Sequence, residues 1–195
     1  MALNLAKGQK ISLNKEAGNT LKQVTMGLGW DPVKKGGLLG SLFGSSGGSI
    51  DLDASCMLFD DTGKPVDLVW FRQLKSRDGS IVHTGDNLTG EGDGDDEQII
   101  VNLEQIPANI KTLIFTVNSF TGQTFDSVES AYCRMVDSTS NKEIARFSLS
   151  GKGNHSAQIM AKLYRHDGEW KMHAIGENSF GRTIETLLPE IIKYI

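Results

Sequence analysis

Through most of this chain apolar residues recur at every second position, and that period most limits the folds open to it. A run with period two lies as a strand with one face inward; wound as a helix, it would scatter its apolar residues. Leu21 to Trp30, Asp51 to Phe59, Val66 to Leu74, Gln98 to Leu103 and Lys111 to Asn118 read this way. So do Ala131 to Val136, Ile144 to Leu149, Ala157 to Tyr164 and Trp170 to Ile175, and Leu3, Leu5, Ile11 and Leu13 suggest an opening hairpin. Asp60-Asp61-Thr62-Gly63 and His166-Asp167-Gly168-Glu169 supply turns between them. Roughly ten short strands at regular spacing predict an all-β fold, a β-sandwich with Greek-key-like connections and its loops gathered at two ends. A length of 195 residues suits one domain spanning 1–195.

Three segments break the pattern. At the C-terminus, about 183–195, Ile184, Leu187, Leu188, Ile191 and Ile192 fall at helical spacing, with Pro189 inside to kink or divide a short helix. A further helical turn is expected over Phe125 to Ser130. At 34–49 a Gly/Ser-rich insert carries Leu38, Leu39, Leu42 and Phe43, too apolar for a plain linker. It reads as a flap folded onto the body, or else as a contact patch for a membrane or protein.

Between Asp86 and Glu97 six carboxylates stand in twelve residues, with three glycines and no Lys or Arg. The chain carries −4 in all; removing this segment's −6 leaves +2 elsewhere, so the acidity is local. Hard oxygen ligands at such density, on a backbone that glycine lets turn inward, are the chemistry of a calcium site. Asp86 and Glu97 stand where a helix–loop–helix calcium motif has its first and twelfth positions, but Leu88, Gly90 and Glu91 occupy the wrong places and the flanks are strand-like. The glycine-rich acidic run does not repeat, which excludes a calcium β-helix. Loops at the end of a sandwich remain. Asp51 and Asp53, about 7 Å apart along one side of a strand start, and Asp31, at a strand end, are the nearest further supply of oxygens. His83 precedes the acidic run and is placed to orient one of its carboxylates.

Other chemistry is thinly represented. Gly44-Ser45-Ser46-Gly47-Gly48 has the spacing of a nucleophile elbow but lies in a flexible tract ahead of a strand. The four histidines have neither the pairing nor the cysteine partners of a zinc site, and no phosphate-binding Gly-Lys-Ser/Thr pattern occurs. No catalytic constellation is evident, so a non-enzymatic role is expected. No basic run tracks a nucleic-acid backbone. Cys56 and Cys133 sit inside apolar alternation and read as buried core residues. The opening residues lack an unbroken apolar run, which argues for the cytoplasm.

Gly27-Leu28-Gly29-Trp30-Asp31, Asp51-Leu52-Asp53-Ala54-Ser55, the run from His83 to Glu97, Leu163-Tyr164-Arg165-His166 and Gly168-Glu169-Trp170-Lys171 together resemble the TerD family of bacterial tellurium-resistance and stress-response proteins. The resemblance runs in order along nearly the whole chain. It implies a β-sandwich holding two neighbouring Ca2+ ions in loops at one end, with the family's metal positions falling on Asp31, Asp51, Asp53, Asp86, Asn87, Asp93, Asp95, Asp96 and Glu97. It also implies a cytoplasmic protein that works with other Ter-type stress proteins at the inner membrane face. The insert is where the sequence departs from typical members. The leading expectation is a calcium-binding, non-enzymatic interaction scaffold in tellurite and general stress resistance. The alternatives are a metal-dependent hydrolase using the same acidic loops, and a calcium-dependent membrane-surface binder with Leu38, Leu39, Leu42 and Phe43 as its tip.

Overall fold

The alternating segments fold as strands of two packed sheets. The computed structural model describes residues 2–32, 50–88, 94–148 and 153–195. The insert with Leu38, Leu39, Leu42 and Phe43, and Asp93 of the acidic run, lie outside the described residues. One sheet contains β1 (Leu3–Asn4), β3 (Gln23–Pro32), β6 (Ile81–His83), β7 (Glu97–Asn102), β9 (Val128–Asp137) and β10 (Lys142–Ser148), in the order β1-β10-β9-β3-β7-β6. The other contains β2 (Lys10–Ser12), β4 (Leu52–Asp60), β5 (Pro65–Val69), β8 (Ile110–Ser119), β11 (Ala157–His166) and β12 (Glu169–Ser179), in the order β2-β12-β11-β8-β4-β5. Hairpins stay within a sheet, as β11–β12 does, while the β3–β4, β5–β6, β7–β8, β8–β9 and β10–β11 connections change sheet. This is the Greek-key-like sandwich that the spacing predicts. Inward residues such as Met26, Leu28, Leu58, Phe115, Met135 and Leu163 form one core between the sheets.

Three features differ from the sequence reading. The opening residues form no hairpin. β1 pairs in parallel with β10 in one sheet and β2 antiparallel with β12 in the other, so the N-terminal segment bridges the edge of both. Leu13 begins a short helix, α1 (Leu13–Ala17), because Ser12 accepts the Lys15 N–H at its start and Gly18, at φ 78°, closes it. β6 was not foreseen, since its three residues are too few to show a period. The strand from Val66 is shorter than expected: β5 ends at Val69, and Trp70 pairs only with Gln73.

The C-terminal helix forms in pieces, as Pro189 requires: a 3-10 turn at Ile184–Leu187, α2 (Leu188–Ile191) and a second 3-10 turn at Ile192–Tyr194. Ile184, Leu187 and Ile191 seat on the outer face of the second sheet, against Met57, Phe59, Ile114, Ile159 and Ile175. That cover explains why β4 is buried on both faces. Among the described residues no helix is long and apolar enough to cross a membrane.

A candidate metal centre at one end of the sandwich

At one end of the molecule β3 of the first sheet finishes, β7 begins beside it with Leu28 opposite Glu97, and β4 of the second sheet begins. The Trp30 indole N–H donates to the Ile50 carbonyl at 3.1 Å and ties the two sheets together here. Asp31, Asp51, Asp53, Asp96 and Glu97 therefore converge from segments distant in the chain.

The tightest group is Asp51, Asp53 and Asp86. One carboxylate oxygen from each lies within 4.8 Å of the others. Asp51 Oδ1 and Asp53 Oδ2 are buried without a hydrogen-bond partner. A buried, unpartnered carboxylate oxygen is costly unless a cation or proton meets it. Burial first, then the charges of Asp86 and Glu97, pushes the Asp51 carboxyl up to about 6. Burial, then Glu97, Asp51 and Asp86, pushes Asp53 up to about 8. Among the described residues no cation offsets either group.

Glu97 organises this cluster. Its Oε2 accepts the Ala54 N–H at 2.7 Å and its Oε1 the Asn87 N–H at 3.1 Å, so one buried carboxylate fixes both the β4 start and the acidic loop. The Ala54 N–H is open to it because β5 pairs β4 only from Cys56 onward. His83 lies where the sequence suggested: its Nε2 stands 3.3 Å from Glu97 Oε2, both side chains fully buried, though out of line for a hydrogen bond. Its Nδ1 accepts the Gly85 N–H at 3.1 Å, which leaves the ring proton on Nε2, facing Glu97.

Asp96 and Asp31 form a second group. Asp96 Oδ2 accepts the Trp30 N–H at 2.8 Å and Oδ1 the Asn87 side-chain amide at 3.1 Å. Asp31 Oδ2 accepts the Ser130 hydroxyl at 2.6 Å. Burial raises the Asp96 carboxyl, as do the charges of Asp31 and Asp95, against the lowering effect of the Trp30 N–H.

Asp95 is not brought to either group. Arg134 grips it in bidentate fashion, Nε to Oδ1 at 2.7 Å and the second nitrogen to Oδ2 at 3.0 Å, while Tyr132 and Gln98 add hydrogen bonds. The Asp95 side chain is 1% exposed. Glu143 then joins Arg134 to Arg146, whose guanidinium lies 4.1 Å from the Tyr132 ring. This network makes Asp95 a structural anchor of the loop. The Gly-Leu-Gly of β3 makes room for it: a Cβ at Gly27 would fall 2.2 Å from Asp95, and one at Gly29 2.5 Å from Tyr132. Arg134 was missed in the sequence reading; the signal was a pair of outward-facing glycines in a strand.

The carboxylates fit a hard divalent cation better than any other resident group. They are all oxygen donors, two carry orphaned buried atoms, and Asp51, Asp53 and Asp86 are close enough to share one ion.

The comparisons with known proteins give the family. The chain belongs to the TerD family, whose domain model matches residues 1–190. The tellurium resistance protein TerZ of Serratia marcescens is 53% identical over 193 residues, covering 99% of this chain and 98% of that protein. Stress response protein SCP2 of Bacillus subtilis is 40% identical over 202 residues, covering 98% and 100%. A solved homologue of the telluride resistance protein TerD from Streptomyces coelicolor superposes with a TM-score of 0.71 at 21% identity, over 88% of this chain and 98% of that one, a likeness of fold. These relatives bear the names of resistance and stress proteins, not of enzymes.

Proposed function

We propose that this protein is a calcium-binding, non-enzymatic scaffold in tellurium and general stress resistance, its acidic end ordered by two Ca2+. It would act in the cytoplasm alongside other Ter-type proteins, within reach of the inner membrane face. The observation that carries the metal reading is the Asp51–Asp53–Asp86 cluster, with its two buried oxygens lacking any partner. The names of the full-length relatives support the resistance role.

In this reading Asp51, Asp53 and Asp86 hold one ion, with Glu97 setting their spacing. Asp31 and Asp96 contribute to the second, with Asn87 beside them and Asp93 a further donor from the acidic run. Bound calcium supplies positive charge: two ions take the Asp86–Glu97 segment from −6 to about −2. The protein's own part is to hold carboxylates from three segments so close that they repel, which makes the geometry of the end depend on the cation. A partner would meet a much less acidic, fixed surface in the loaded form and a strongly acidic one in the free form.

The test is isothermal titration of the chelator-treated chain with Ca2+ and with Mg2+. The expected result is about two Ca2+ per chain, with dissociation constants in the micromolar range or below and weaker binding of Mg2+. Absence of any saturable calcium binding overturns the reading.

A further inference from the structure

The outer face of the second sheet is divided. The C-terminal turns cover β4 and β8 and, through Ile159 and Ile175, part of β11 and β12. The β2 side is open and cationic. Lys162 pairs with His173 in register, and His173 with Lys10, so the three lie in one row across β11, β12 and β2. Their strand neighbours Leu163, Met172 and Ile11 belong to the core, so the row itself faces outward. In the next row Lys171 stands between Tyr164 and Ser12. Strands about 4.8 Å apart give the first row a span of roughly 10 Å between its outer members.

Like charges close together destabilise a sheet, and among the described residues no carboxylate pairs with Lys10, His173 or Lys162. Among the described residues Lys10 has no ion pair or side-chain hydrogen bond. Lys162 Nζ donates only to the Tyr194 carbonyl, at 2.6 Å. The nearby Glu169 already accepts the Ser12 hydroxyl at 2.9 Å and lies 3.7 Å from Lys171. Burial and the charge of Lys10 lower the Lys162 ammonium, and burial with Lys10 and Lys162 lowers His173. A cavity of about 560 Å3 opens beside the row, its walls including Lys10, Lys15 and Lys171, the acids Glu16 and Glu169, and Tyr164.

We propose that this face binds an oligophosphate chain, laid across β2, β12 and β11 with successive phosphates meeting Lys10, His173 and Lys162, and Lys171 and the Tyr164 and Ser12 hydroxyls alongside. A row of separated point charges suits a chain of several anionic groups better than a single carboxylate, which would reach only one of them. Two sources share this chemistry, free inorganic polyphosphate and the tail of a nucleoside triphosphate. The site lies on a different face from the acidic loops and does not rest on the calcium reading.

The experiment is titration calorimetry of the full chain, freed of divalent cations so that the anion cannot act by sequestering them. Tripolyphosphate, ATP and AMP are the probes. Saturable binding of tripolyphosphate and ATP, with AMP much weaker, is expected. Equal affinity for the first two assigns the phosphate chain alone, and tighter ATP assigns the nucleotide tail. Lys10→Ala, at an exposed side chain with no partner, should weaken binding at least about fivefold, roughly 1 kcal/mol, and should not lower the melting temperature. His173 imidazole resonances should shift on saturation. Lys22→Ala, at an exposed lysine paired with Glu104, should bind as wild type. No saturable binding, or equal losses in Lys10→Ala and Lys22→Ala, overturns the proposal.

Discussion

Asp53→Asn should stabilise the metal-free protein and abolish most of what calcium adds. Asp53 is 4% exposed, has an oxygen without a partner, and its carboxyl is pushed by burial and neighbouring acids up to about 8 from an ordinary 3.8. A carboxyl raised on folding binds its proton more tightly in the native chain than in the unfolded one. The contribution of Asp53 to the stability of the metal-free protein therefore falls as pH rises from about 4 to about 8 and is level on either side. At pH 7 the interval from 3.8 sets a ceiling of about 4 kcal/mol on the cost that Asp53 imposes. Asparagine has no charge to bury and removes that cost. At roughly 2–4 °C per kcal/mol for a chain of this size, the variant in EDTA should melt several degrees above wild type at pH 7 and lose much of the pH slope. In calcium the gap narrows. A hundredfold excess over the dissociation constant gives wild type about 2.7 kcal/mol, and the variant, lacking a central carboxylate, gains little. The assay is thermal unfolding at pH 5, 6, 7 and 8, in EDTA and in calcium. A variant that melts below wild type in EDTA, yet keeps the full calcium increment, would refute the reasoning.

Three further outcomes follow from the same geometry. Asp96→Asn should weaken calcium binding at least about tenfold in calorimetry, whereas Asp60→Asn should not change it, because the Asp60 carboxylate only holds its own turn through Thr62 and Lys64. Arg134→Met should cost about 3–5 kcal/mol in denaturant unfolding, since it leaves the buried Asp95 charge without its partner; adding Asp95→Asn should recover part of the loss. Leu187→Ala should cost about 2–5 kcal/mol by opening a void under the C-terminal turns, with calcium affinity unchanged.

The strands were legible because most of them bury one face, and burial of one face writes a period of two. The reading failed where that cause is absent. Lys10–Ser12 and Ile81–His83 are too short to carry a period, and the parallel pairing of Leu3–Asn4 with Ala145–Arg146 has no local signal at all. A period of two also accounts for only one face of β4, whereas Met57 and Phe59, on the other, are buried as well. The residues that cover them, Ile184, Leu187 and Ile191, lie more than 120 positions away, and their helical spacing told that they had an apolar face without telling where it would rest.

The acidic segment shows the limit more sharply. Asp95 and Asp96 are adjacent and chemically identical, and charge density alone gives both the same role. The fold separates them through β3. Gly27 pairs in register with Arg134, and Gly29 with Tyr132. With no side chain at either glycine, Asp95 lies across β3 and reaches Arg134 on the next strand, while Asp96 turns toward the Trp30 N–H and Asp31. An anion clamped by a guanidinium has its negative charge already matched and little left to draw a metal ion; one that accepts only neutral N–H groups keeps its charge for one. The distinction was therefore present in the sequence, though not in the acidic run. It lay in two glycines at alternate positions of a strand whose intervening residues are apolar, which mark a close approach by something from outside the sheet, and in an arginine whose place opposite them only the strand register reveals.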